Sequence, residues 1–472
     1  MEIRDLITSI TGEKIRNGNV PISEFLIDSR ASSPQSLFVA LPGDKTNGHQ
    51  FVDHAFSNGA SFALIDQPSC TSYPIVDLRM GFFDASQTLP ESPFCFLVED
   101  ALTSLQTCAT WWRSKFNIRV VGISGSVGKS STKELTASLL SRRFITLKSQ
   151  GNMNNEIGLP LSVLKLTHDV EVAVLEMGFY VLGEIKLLCE IAKPQIGVIT
   201  NIGTVHAERA GSQEVIAQGK GELIESLPSA PEGVAILNYD DPFVKRMAGL
   251  TKAKIFNYGL TPKADLWADE IVGLGLEGIR CRLHYKNEIL HVKAPLIGRH
   301  SVYTLLRAAA VAVNEGMSWD WIIYALQSSK VQLRLTTVKT TNGAMLIDDT
   351  YNASPPSTLA ALNLLHDLEG RKVAVLGDMM ELGQYEQQGH EMVGIRAAEV
   401  ADELILIGER SKITANAAIS VGFSAAKIHW FINTSDAIEY LATMLKEGDT
   451  TLIKGSHSMQ MDKIVTALED RC

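Results

Sequence analysis

No Cys-x-x-Cys pair occurs in this chain, although six cysteines (Cys70, Cys95, Cys108, Cys189, Cys281 and Cys472) are scattered along its 472 residues. That pattern argues against a zinc site, a dithiol redox centre or a disulfide framework, and fits buried thiols in a reducing compartment. No uninterrupted apolar stretch reaches the ~18 residues that a spanning helix needs. The opening Met-Glu-Ile-Arg-Asp has no basic segment leading into an apolar core, so a cytoplasmic location is expected. Positive charge is also scarce. Against 53 Asp and Glu stand 43 Lys and Arg, a net charge of −10, which argues against general binding to nucleic acid or to a membrane surface. Internal repeats and low-complexity tracts are missing as well.

What is present is ordinary globular material, 45% hydrophobic and 20% charged. At about 150 residues per domain the length suggests three domains. Short apolar runs at Phe25-Leu26-Ile27, Leu37–Leu41, Phe62–Ile65 and Phe94–Leu97, separated by turn residues, predict a small α/β domain over 1–97. Leu102, Leu105, Ala109, Trp112 and Phe116 are spaced as one helix face. They lead into a central segment, 98–331, where Val172–Leu175 and Gly197–Thr200 read as strands of a parallel sheet covered on both faces. After Asn238 shorter alternating segments, through Cys281–Tyr285, suggest an antiparallel extension. Over 332–472, runs at Met345–Ile347, Lys372–Leu376, Leu404–Ile407 and Thr451–Ile453 predict a second doubly wound, Rossmann-like domain. The expected fold is thus α/β in three domains, the central one a parallel-sheet ATPase.

The central domain is marked by Gly122-Ile-Ser-Gly125-Ser126-Val127-Gly128-Lys129-Ser130-Ser131-Thr132 behind the apolar pair Val120-Val121. A strand, a glycine-rich turn, Lys-Ser and then a helix make a phosphate cradle, in which backbone N–H groups and the helix N-terminus meet anionic oxygens. Lys129 would reach the β- and γ-phosphates, and the Ser130 hydroxyl would ligate Mg²⁺. Ile123 stands where the strict pattern has a glycine. Nucleoside triphosphate binding is the expectation.

Polar residues collect where open α/β sheets place their sites, at strand ends. Glu176 ends one apolar strand, a position suited to a carboxylate serving Mg²⁺. His206, in the loop after Asn201, is either structural or a metal ligand. Lys220, in a helical stretch, reads by itself as a solvated lysine. Asp348-Asp349-Thr350-Tyr351-Asn352 closes one strand of the last domain and Gly377–Gly383 the next. The second loop is either shaped for a ligand or a surface turn.

Together these motifs resemble the Mur ligase family. The resemblance covers nearly the whole chain. It rests on Asp28-Ser29-Arg30, Leu37–Gly43 with Gly48-His49, the phosphate loop, Gly151–Gly158, Glu176-Met177-Gly178, Asn201-Ile202-Gly203, Asp348–Ala353, Gly377–Gly383 and Lys454-Gly455-Ser456. It implies that Ser29, Arg30 and His49 belong to a pocket for a uridine diphosphate moiety. Asn154, Asn155 and Glu156 would help hold a muramoyl peptide and the metal site, and Glu176 and His206 would serve Mg²⁺. Lys220 matches the family's carbamylated lysine, Asn238, Asp240 and Arg334 its nucleotide side, and Asp349, Tyr351 and Asn352 its amine-substrate domain.

The implied activity is ATP-dependent addition of D-alanyl-D-alanine to UDP-N-acetylmuramoyl-tripeptide through an acyl phosphate. Lys129, Lys220 and His206 would be catalytic, and the chain would act as a monomer on small molecules. The family's Gly-x-His-Asn-x-x-Asn is Gly298-Arg299-His300-Ser301-Val302-Tyr303-Thr304 here. Each lost amide is expected to weaken ATP binding by about one hydrogen bond, roughly 0.5–1.5 kcal/mol. Ser354 and His457 also replace the family's usual residues. Two other readings stand beside this one: a sibling or folylpolyglutamate-type ligase using another amine, and a nucleotide-switch ATPase.

Overall fold

The apolar runs become the buried strands of three sheets. The computed structural model describes the chain except for residues 16–17, 44–45, 69–70, 80–87, 205–206, 328–335 and 470–472. The N-terminal sheet holds β1 (Phe25–Leu26), β2 (Leu37–Val39), β3 (Phe62–Ile65), β4 (Ile75–Asp77) and β5 (Phe94–Leu97), in the order β1-β2-β3-β5-β4 with every pair parallel. Phe62, Phe94 and Phe96 pack against one another on it, with the Phe94 ring edge-on to both neighbours. Only Val76 of β4 is buried, and the strand has no apolar run to announce it.

The strands that follow are β6 (Arg119–Ser124), β7 (Thr146–Lys148), β8 (Val172–Glu176), β9 (Ile196–Ile199), β10 (Val234–Asn238), β11 (Lys254–Gly259), β12 (Leu266–Gly273), β13 (Ile279–Tyr285) and β14 (Glu288–Ala294). The antiparallel extension begins later than the sequence suggests. β10–β11 and β11–β12 are still parallel, and the direction reverses only at β13 and β14. The alternating character after Asn238 arises because β11 is half-buried, and a half-buried strand alternates whichever way its neighbour runs.

The C-terminal sheet comprises β15 (Thr336–Lys339), β16 (Met345–Asp348), β17 (Arg371–Gly377), β18 (Glu403–Ile407), β19 (Ile428–Phe431) and β20 (Asp449–Lys454), ordered β15-β16-β20-β17-β18-β19. All neighbours are parallel except β15, which is antiparallel to β16. Alternate residues of the same strands face two cores. Ala374, Leu376, Leu404, Leu406 and Leu452 lie in one, and Val373, Val375, Ile405, Ile407 and Ile453 in the other. This is what period-two side chains give when helices cover both faces.

Two compact units emerge from the packing, 1–122 with 144–178 and 184–195, and 123–143 with 179–183 and 196–472. The first holds the five-stranded sheet, the parallel pair β7–β8 and the helices Ala101–Arg113, Gly158–Val163 and Glu184–Ala192. The second holds the phosphate loop and its helix Lys129–Leu140, the run β9 to β14, and the six-stranded sheet. Cys95, Cys108, Cys189 and Cys281 are buried and form no disulfide among the described residues. Among the described residues no helix is long and apolar enough to cross a membrane.

Candidate functional site

The phosphate loop is folded as its glycines require. Gly125 sits at φ 139°, and a β-carbon there would stand 1.8 Å from Thr200 Oγ1. Gly128, in the left-handed region at φ 85°, is the N-cap of the helix Lys129–Leu140. Asn201 braces the turn between them. Its Oδ1 accepts from the Val127 amide at 3.1 Å, and its Nδ2 donates to the Val127 carbonyl at 3.0 Å. The Ser126 amide donates to the Asn201 carbonyl, and the Ser126 hydroxyl accepts from Gly203 N–H. Lys129 Nζ lies 2.8 Å from the Gly125 carbonyl oxygen. Ser130 and Ser131 open the helix, where its first N–H groups lack intrahelical partners. Backbone donors, a lysine and a hydroxyl therefore converge on one turn, and the residue types suit a polyphosphate with its cation.

Behind the loop lies a polar network that the sequence only partly signals. Asn238, at the end of β10, donates to the Thr200 carbonyl at 3.2 Å and accepts from Asp240 N–H. Asp240 accepts from the Tyr303 hydroxyl at 3.0 Å and from Leu260 N–H. Asp241 caps the helix Pro242–Arg246 and accepts from Ile202 N–H. The Tyr258 hydroxyl donates to the Ile199 and Thr200 carbonyls. Burial pushes that phenol up to about 12, against the pull of Arg307. Arg307 itself is buried and donates to Thr304 Oγ1 at 3.0 Å. The Ser301 hydroxyl donates to the Ile297 carbonyl. Both residues that replace the family's asparagines are thus engaged within the protein.

In the first unit Asn154 orients Glu176. Its Nδ2 donates to Glu176 Oε1 at 2.8 Å, and the Glu176 amide donates to Ser149 Oγ. Glu176 is 2% exposed, a carboxylate set among polar groups. Asn155 Oδ1 accepts from Gly158 N–H at the start of the helix Gly158–Val163, and the Glu156 carbonyl accepts from Gln106. These two residues shape the turn that carries Asn154.

Lys220 is where a purely local reading fails. By itself the sequence reads a solvated lysine there, while the resemblance implies the family's carbamylated one, and Lys220 is 0% exposed in the helix Gln213–Glu225. Its Nζ stands 5.2 Å from the centre of the Phe179 ring. The ring can lie there because Gly219 has no β-carbon, which would approach Phe179 Cε2 to 1.9 Å.

In the N-terminal domain Ser29 Oγ meets His54 Nδ1 at 2.9 Å, while Arg30 is exposed and forked onto Asp28. His49 is buried. Burial pushes its pKa below the ordinary value, against the pull of the Asp66 carboxylate. Nδ1 lies 2.8 Å from Asn47 Oδ1, and Nε2 lies 3.0 Å from Asp66 Oδ1 and 3.2 Å from the Asp66 amide nitrogen. Both nitrogens thus meet groups of their own domain.

In the C-terminal domain buried Lys454 draws a turn together. Its Nζ lies 2.7 Å from Asp349 Oδ2 and 2.8 Å from the Asn352 carbonyl. Tyr351 is left exposed with its ring 6.1 Å from that of His457. Ser354 begins the helix Pro355–Asp367 and bonds Ser357. In the Gly377–Gly383 loop, the Asp378 carboxyl is pushed up by burial although it accepts from Ser411 N–H. The loop also packs on the helix Ala207–Ala210, with Glu208 N–H donating to the Glu381 carbonyl at 3.3 Å.

His206 and Arg334 lie outside the described residues. Among the described residues no three His, Cys, Asp or Glu side chains gather as a metal centre. That is compatible with Mg²⁺, which is held by one or two protein groups together with phosphate oxygens and water. Arg307, Tyr303 and Asp241 are absent from the sequence-based set. Arg307 could have been found as the lone charge in the otherwise apolar Leu305–Val313 stretch.

Residues 21–78 match the profile of the Mur ligase family catalytic domain, 123–312 the Mur ligase middle domain, and 333–457 the Mur ligase, glutamate ligase domain. The UDP-N-acetylmuramoyl-tripeptide--D-alanyl-D-alanine ligase of Synechocystis sp. is 34% identical over 457 residues, 95% of this chain and 92% of that one. MurF from Acinetobacter baumannii superposes with a TM-score of 0.83 over 98% of each chain at 27% identity. MurF ligase from Thermotoga maritima in complex with ADP gives 0.77 at 27% identity, covering 95% of this chain and 97% of that one. A likeness that runs almost end to end, over a phosphate loop built as described, assigns the protein: the chain belongs to the Mur ligase family.

Proposed function

We propose that this chain is an ATP-dependent amide ligase that adds D-alanyl-D-alanine to UDP-N-acetylmuramoyl-tripeptide, giving the pentapeptide used in peptidoglycan synthesis. The observation that carries the reading is likeness over nearly the full length to a relative named for that reaction. A braced phosphate loop in the matching domain supports it. In this reading the terminal carboxylate of the tripeptide attacks the γ-phosphorus of ATP, ADP leaves, and an acyl phosphate forms. The D-alanyl-D-alanine amine then attacks that carbonyl, loses its proton, and phosphate departs as the amide forms.

The protein's part is positioning and electrostatics. Lys129 and the loop amides neutralise charge on the transferring phosphoryl group. Ser130, Glu176 and His206 are the groups assigned to Mg²⁺, which when bound would draw charge from the phosphoryl oxygens. The Asn154 amide, bonded to Glu176, fixes that carboxylate. Carbon dioxide added to the Lys220 amine would create a fixed anion in a buried setting. The turn held by Lys454, with Asp349, Tyr351 and Asn352, is assigned to the amine substrate, and Ser29, Arg30 and His49 to the uridine diphosphate end.

The test is phosphate release from ATP and Mg²⁺ with UDP-N-acetylmuramoyl-tripeptide, with and without D-alanyl-D-alanine, using D-alanine and glutamate as controls. Release should require the dipeptide, with the pentapeptide confirmed by mass. Amine-independent hydrolysis would point to a switch, and preference for a single amino acid to a sibling ligase. Lys129→Ala should abolish turnover while leaving the circular dichroism spectrum unchanged.

A further inference from the structure

The helix Val302–Asn314 is apolar along nearly its whole length, and Arg307 is its single charged residue. Arg307 is 4% exposed. A guanidinium carries five N–H donors, and here Nη2 reaches Thr304 Oγ1 at 3.0 Å while Nε is buried with no partner among the described residues. No carboxylate of the described residues pairs with it. The acidic groups of the neighbouring network are committed elsewhere, Asp240 to Tyr303 and Leu260, Asp241 to Ile202 and its own helix. The Tyr258 ring lies 5.9 Å from the guanidinium carbon.

A buried cation without a counter-charge is unfavourable, and an apolar side chain of similar volume would be tolerated better. What Arg307 abuts gives the reason for its presence. Its Nη2 lies 3.0 Å from the point a β-carbon on Gly128 would occupy. Gly128 caps the 12-residue helix Lys129–Leu140, whose N-terminus favours anions. A buried guanidinium with no carboxylate partner among the described residues and a helix N-terminus therefore meet at one glycine of the phosphate loop.

We propose that Arg307 is a phosphate-binding and positioning residue of the nucleotide site. It holds Gly128 and Thr304 in place, and the polyphosphate of ADP or ATP provides the counter-charge that the protein does not. The inference rests on the phosphate-loop reading and adds to it a second fixed cation besides Lys129, contributed by another helix.

Binding is measured on the full chain without turnover, using calorimetry with Mg·ADP and with pyrophosphate, and ligand-observed NMR with adenosine. Arg307→Met should weaken both phosphate ligands by about 10- to 100-fold, the range for a charged hydrogen bond. Adenosine binding should stay unchanged, and the ligand-free protein should melt at or above the wild-type temperature. Arg307→Lys should recover part of the loss, because it keeps the charge without the planar fork. Wild-type affinity of Arg307→Met for both phosphate ligands, or equal weakening of adenosine and ADP, would overturn the proposal in favour of packing alone. If Arg307→Met does not fold, Arg307→Lys decides. Weaker pyrophosphate binding at an unchanged melting temperature supports the proposal, and wild-type binding overturns it. Lys129→Ala is the control: should it lose ADP while Arg307→Met does not, this inference alone fails. Should it bind ADP as the wild type does, the phosphate-loop reading fails too.

Discussion

A single missing β-carbon governs the phosphate loop. At Gly125 an added methyl would meet Thr200 Oγ1 at 1.8 Å and the Thr200 backbone nitrogen at 2.9 Å. The first contact could be relieved by trimming the threonine, but the second is with main chain. Gly125→Ala should therefore lower ADP affinity at least about tenfold, as expected for roughly 1–3 kcal/mol of backbone strain. Adding Thr200→Ala should restore only part of it, and full restoration in a binding titration would count against this account. The glycines were legible in the sequence because a left-handed or crowded backbone has few residues to choose from. The burial of Lys220 and of Arg307 was not legible. Whether a lysine is solvated or an arginine lacks a carboxylate depends on what packs against it.

Elements were legible in proportion to their burial. β8, β9 and β17 carry continuous buried runs and were readable as strands. β4, β15 and β19 are edge strands of their sheets, and β4 and β19 are half in solvent, so they offer no run to find. The central pair β17–β20 is tied at its start by a fork from Arg371, whose Nη2 lies 2.6 Å from Asp449 Oδ2 and Nε 2.9 Å from Oδ1. Burial acts to raise the Asp449 pKa, but the Arg371 fork and the Lys446 amide outweigh it and hold the carboxyl below its usual value. A depressed carboxylate pKa contributes stability above the unfolded value, and that contribution is lost as pH falls through the folded one. Asp449→Asn should cost about 1–3 kcal/mol at pH 7, reduced from the fully buried case because Arg371 is partly exposed. In urea titrations the gap from wild type should narrow below about pH 4. A gap that stays constant with pH would show that the ion pair is not its source.

Within the second unit the Gly377–Gly383 loop of the C-terminal domain meets the helix Ala207–Ala210 of the central domain. Gly383, at φ 53°, comes so close that a β-carbon would lie 2.8 Å from Glu208 Cα, and Gln384 Nε2 donates to the Gly211 carbonyl at 3.1 Å. A ligase that must exclude water from an acyl phosphate depends on how its domains meet. Gly383→Ala should lower turnover about tenfold or more, a scale typical of small misplacements, with ADP affinity kept within about twofold. Unchanged turnover would separate this contact from catalysis.

By itself the sequence determined the nucleotide chemistry, the three α/β segments and the family, because phosphate loops and buried strands are written in short-range spacing and in glycines that no other residue can replace. Only the tertiary structure decided which charges are buried and what each one meets. Lys454 finds Asp349 across 105 residues, Asn201 braces a loop 74 residues away, and Arg307 reaches Gly128 from a different helix. A buried charge is tolerated through its partner, and chain topology alone brings such partners together.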